Sequence, residues 1–269
     1  MYLRAMDPFE HKRGSFTTLL GALSEARTAE QRIREEDFEI VLTVLAGASP
    51  WQRYIRESLR LTRQSLPRRP FRVVGSKEFE QTMRALGHQG DLGHIPGVTD
   101  KRTGTITMQE FFGIHSHATY LGAALHEAVH LVSHPPGRAG RQHSTAWGIV
   151  GEGLLEGLVE CVTLDILNAQ RIALPRLTMR GHLQRLPVAI ELLRRLGVPL
   201  LARLLFEGDF RQFLLQMHST YSVRGWQEIQ SLTTANNPQR AIQRMHELRA
   251  AQEQQSGNRI RPVPSSRTP

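Results

Sequence analysis

Only one residue of the 269 is a cysteine, Cys161, so the chain can form no intrachain disulfide, and folding in a reducing compartment is expected. Lysine is almost as scarce. Of 34 basic residues only Lys12, Lys77 and Lys101 are lysines, and the arginines are spread along nearly the whole chain. The net charge of +9 therefore reads as a dispersed compositional bias rather than a binding footprint. Aromatics make up 6%, too few for an interleaved stacking platform, and no zinc-finger, RRM or KH pattern is present, which leaves nucleic-acid binding as the disfavoured alternative. No apolar run approaches the roughly eighteen residues needed to span a bilayer. The first residues, MYLRAMDPFEHKRGSF, hold charges and no apolar core, so neither a secretory signal nor an anchor is expected. The reading is a cytoplasmic protein, with signal-independent export left open.

What is present suits one sizeable core. Hydrophobic residues make up 40%, and the periodicities divide the chain into a tail over 1–14, a single domain over 15–254 and a polar, proline-bearing tail over 255–269 expected to be disordered. The domain reads as predominantly helical. Two or three helices are expected over 16–66, broken at GASPW and LPRRP, then a short strand over 71–74 and a helix over 77–86. Amphipathic helices recur over 183–196 and 199–206, with final helices over 225–232 and 238–254. Cys161 is expected to be buried.

The densest chemistry lies at HEAVH, residues 126–130. Its helical context, YLGAALHEAVHLV, puts Leu121, Leu125, Val129 and Val132 on one stripe, so the helix should be largely buried. Burying two histidines and a glutamate there is costly unless something pairs with them, and a metal does that. On a helix His126 and His130 share a face one turn apart and could grip one zinc ion, with Glu127 placed to act on a water. His134 continues the row but stands about 12 Å of rise from His126, too far for a shared ion. Pro135 and Pro136 should end the helix near it. Eight of the twelve histidines fall between His88 and His143, including His115, His117 and His143 beside the proposed site.

A second helix is expected from about Ala146 to Leu167, capped by Ser144 or Thr145. Glu152, Glu156 and Glu160 follow one another in it at four-residue spacing, where like charges repel unless a cation faces them. Glycines at 148, 151, 153 and 157 each cost about 1 kcal/mol in a helix interior, which suggests close approach of another backbone, that of the HEAVH helix. Residue spacing alone leaves Glu152 and Glu156 both open as a third ligand.

HEAVH followed by EGLVE resembles the gluzincins, the thermolysin-like zinc metallopeptidases. The resemblance implies an α+β, predominantly helical, zincin-like fold with a small β-sheet next to the HExxH helix. It implies one zinc per chain held by His126, His130 and a glutamate of the second helix, with Glu127 as general base and a peptide or protein substrate. EGLVECVT resembles the EGxxE form of small bacterial gluzincins, which favours Glu156 over Glu152 as ligand and makes Glu160 a carboxylate partner of a ligand histidine. The stretch GVTDKRTGTITM, with Thr105 to Met108, reads as a β-hairpin or edge strand, and in that family a peptide pairs with the free edge beside the cleft. His182 stands where the family often places an oxyanion donor, with Tyr221 and His218 as alternatives. LLFEGDFRQFLLQM is similar to the segment that closes the domain. A zincin-like binding or toxin module that has lost catalysis is the remaining alternative, and the intact Glu127 opposes it. Oligomeric state is not legible.

Overall fold

The computed structural model describes residues 35–90, 95–110, 117–133, 150–172 and 185–259. Among them a short 3-10 turn leads into α1 (Phe38–Leu45) and α2 (Gln52–Arg63), and β1 (Phe71–Val74) and α3 (Ser76–Ala85) follow. A hairpin of β2 (Gly97–Asp100) and β3 (Thr105–Gln109) precedes α4 (His117–Ser133), the HEAVH helix. Then come α5 (Glu152–Ala169), α6 (Leu186–Ala202), a π-helical turn (Arg203–Glu207), α7 (Phe210–Thr234) and α8 (Pro238–Arg259). The described residues are mostly helical, with one small mixed sheet among them. No described helix is long and apolar enough to cross a membrane.

The sheet order is β1-β3-β2, with β3 parallel to β1 and antiparallel to β2. The expected hairpin is therefore present, but Thr105 to Met108 form the central strand and not an edge. Strand order depends on the distant pairing of Phe71 with Ile106, which no local pattern in GVTDKRTGTITM encodes. Alternation then sorts the side chains. Phe71, Ile106 and Met108 enter the main core, while Val74 and Val98 meet Phe79 and Met83 of α3 in a satellite cluster.

Helix α4 lies at the centre of the main core, against α1, α2, α5 and the sheet. Every residue of α4 from Tyr120 to Ser133 is buried, the polar His126, Glu127, His130 and Ser133 included. Its end is tied down by Ser58 of α2, whose hydroxyl donates to the Val132 carbonyl. Trp51 performs a similar service for α5, donating from Nε1 to Asp165 at 2.9 Å. Cys161 is buried as expected, and burial pushes its thiol up to about 12.

Two long helices are bent where the chain leaves helical geometry. Gly197 (φ 72°) divides α6 at the expected boundary, and Ser222 (φ 61°) divides α7 while its hydroxyl accepts from Gly225 N. Helix α8 continues to Arg259, past the Gln254 boundary expected for it, and the tails over 1–14 and 260–269 lie outside the described residues.

The α5 glycines differ from expectation in their partner. A Cβ on Gly157 would stand 2.8 Å from the Arg185 carbonyl oxygen, and one on Gly153 would meet Thr233 O at 3.3 Å. They admit the entry to α6 and the end of α7, not the HEAVH helix. Gly151 caps α5 at φ 86°, a conformation glycine adopts freely, and Gly148 lies outside the described residues. Gly157→Ala is expected to destabilise the fold by about 1–3 kcal/mol, as overpacking against backbone does, measurable by denaturant unfolding. Unchanged stability would mean that the Arg185 segment yields freely.

Candidate metal centre

Three side chains converge between α4 and α5. His126 and His130, one turn apart on α4, bring their Nε2 atoms within 3.1 Å of each other. Glu156 of α5 places Oε2 at 3.3 Å from His126 Nε2 and 3.1 Å from His130 Nε2. The helical row of glutamates sets up the next contact. Glu160, one turn beyond Glu156, meets the other side of the His126 ring, with Oε2 at 2.9 Å from Nδ1. A proton on Nδ1 donated to Glu160 directs the Nε2 lone pair inward.

Donor atoms bonded tetrahedrally at about 2.0–2.1 Å would stand about 3.3 Å apart, close to the observed triangle. His126, His130 and Glu156 form a group that could hold a metal ion. The group is largely shielded from bulk solvent: His126 and His130 are buried, and the Glu156 side chain is only 14% exposed. Glu152 opens α5, but its side chain lies outside those described.

Protons and a metal compete for this triangle. Burial disfavours charge on His126, yet Glu156 and Glu160 outweigh it and raise its pKa from 6.5 to about 10. Burial pushes His130 the other way, and the positive charges of Lys101 and His126 reinforce that against Glu156. Glu156 and Glu160 thus favour a proton held within the metal-free group. A raised folded pKa contributes stability that is complete below about 6.5 and is lost as pH rises towards about 10. A metal must displace that proton, so the rise in Tm on adding a divalent ion should grow between about pH 6 and about pH 8.5. A rise independent of pH would contradict a proton held within the group.

Glu127 has a different set of neighbours. It is buried on α4, and the Thr99 hydroxyl on β2 lies 2.7 Å from its Oε2 and 2.9 Å from its main-chain oxygen. Gly97, two residues earlier on the same face of β2, makes room for it: a Cβ there would stand 3.1 Å from Glu127 Cγ and 2.5 Å from Met108 Sδ. Gln109 N donates to Pro96 O at 2.8 Å, which makes Gly97–Met108 a non-hydrogen-bonded pair. The N–H and C=O groups of Gly97 and Thr99 therefore point away from β3. No described strand pairs with that outer edge of β2. Thr99 and Gly97 were not singled out from the sequence, where GVTD only opens the stretch read as a β-hairpin or edge strand. The available signal was their period-two spacing on one strand face.

The other expected participants are not brought to the triangle by any described contact. His182, His115, His134 and His143 lie outside the described residues, as does the side chain of His117. Tyr221 is buried in α7, stacked on Trp226 with centroids 6.5 Å apart, and burial pushes its hydroxyl pKa up. His218 is half-buried on the same helix. No family model, curated protein or solved structure matches this chain.

Proposed function

We propose that the chain is a zinc-dependent metallopeptidase of gluzincin type. The observation that carries this reading is the triangle of His126 Nε2, His130 Nε2 and Glu156 Oε2 at 3.1–3.3 Å, with Glu127 on the same helix as both histidines. Two imidazoles and one carboxylate are a donor set suited to zinc, which when bound supplies a Lewis acid and a water of lowered pKa. His126, His130 and Glu156 would hold the ion, and Glu160 orients the His126 ring.

Glu127 accepts a proton from the attacking water and passes it to the departing amine. An extended peptide pairs with the outer edge of β2, where the main-chain groups of Gly97 and Thr99 face outwards, a role that the family resemblance gave to the strand of Thr105 to Met108, which is central in this sheet. His182 is the proposed donor to the oxyanion. The test is hydrolysis of a broad peptide library by zinc-loaded protein, abolished by a chelator and restored by zinc. Zinc binding without hydrolysis of any peptide would favour a binding module instead.

A further inference from the structure

Glu127 is held by the sheet as well as by its own helix. We propose that Thr99 is a positioning residue that fixes the Glu127 carboxylate and ties its orientation to an extended peptide paired with the outer edge of β2, with which no described strand pairs. The proposal rests on the hydrolytic reading above for its rate consequence, but not for its structural one.

A glutamate on a helix has three side-chain torsions, and the local sequence does nothing to fix the last. Here β2 holds both parts of the side chain. Gly97 lets the strand lie against the Cγ stem, at a separation where a Cβ would be 3.1 Å away. Thr99 holds the head, its Oγ1 at 2.7 Å from Oε2. Thr99 is itself held close to the helix, because its single hydroxyl proton is shared between Oε2 and the Glu127 main-chain oxygen, which stands 2.9 Å away at a point set by the rigid helix. Both side chains are buried, so water does not substitute readily for this hydrogen bond.

The second half of the proposal follows from alternation along the strand. The Thr99 side chain faces α4, while its N–H and C=O face the outer edge, with which no described strand pairs. An extended peptide pairing with β2 would therefore bond to the main chain of the residue whose side chain aims Glu127. A tie serving only to pack strand on helix would not need its hydroxyl on the carboxylate, since the main-chain oxygen alone would anchor it.

Thr99→Val removes the hydroxyl and keeps a β-branched shape, Thr99→Ala removes it without added bulk, and Thr99→Ser retains it. In the zinc-loaded chain, Val and Ala are expected to lower kcat for peptide hydrolysis about 10- to 100-fold, the usual scale for loss of a group that orients a ligand or base, with KM changed less than about twofold. Ser should restore most of the rate. In parallel, carbon-13 NMR of protein labelled at glutamate side-chain carboxyls, with Glu127 identified by the signal lost in Glu127→Gln, should show that signal displaced in Val and Ala and near its original position in Ser. A Glu127 signal unmoved in both Val and Ala overturns the proposal, as does an altered KM with unchanged kcat. If the wild-type chain hydrolyses nothing, the hydrolytic reading falls, and the Glu127 signal still decides whether Thr99 positions it.

Discussion

Glu127→Gln is expected to lower peptide hydrolysis by at least about 100-fold while leaving zinc content and Tm near wild type, because the substitution removes a proton acceptor and little else. The amide oxygen can still accept from Thr99, 2.7 Å from Oε2 in the native chain, and the side-chain shape fits the space that Gly97 leaves. Residue 127 follows His126 on the helix and so points about 100° around it, which keeps it out of the ligand triangle. Steady-state rates on a peptide substrate, with metal analysis of both proteins, measure the effect. Equal rates would show that Glu127 is not the base and that the hydrolysis has another origin.

Loss of a ligand should be felt in metal binding itself. His126→Ala, His130→Ala and Glu156→Ala each remove one corner of a triangle whose edges are 3.1–3.3 Å, and each should abolish stoichiometric zinc. Glu160→Ala should weaken binding only about 10- to 100-fold, since Glu160 touches Nδ1 of His126 and not the triangle. Competition with a chromogenic chelator separates these two sizes of effect. Full zinc retention in Glu156→Ala with loss in Glu152→Ala would move the third ligand one turn towards the start of α5.

The two halves of the site were unequally legible in the sequence. His126 and His130 could be paired because a helix fixes neighbours at four-residue spacing, whereas the same spacing left Glu152 and Glu156 both open and only the family resemblance favoured Glu156. The strand at 71–74 and the break at Gly197 were legible locally too, as short apolar alternation and a glycine at a helix boundary. Contacts between distant segments were not. Nothing in TITM shows that β3 will be flanked on both sides, and small residues at 153 and 157 announce a close approach without naming Arg185 as the neighbour. Ser222 gave no sign of the bend it makes, because a serine with positive φ depends on its surroundings. Thr99 belongs with these: its role exists only once β2 is laid against α4.

Zinc content is the quantity on which the whole reading turns. Purified wild-type chain, stripped with a chelator, dialysed and titrated with zinc, should bind one ion per chain at His126, His130 and Glu156. A stoichiometry of one, absent in the His126→Ala and His130→Ala chains, is the predicted result. A wild-type chain that purifies without metal and takes up none on titration would contradict it.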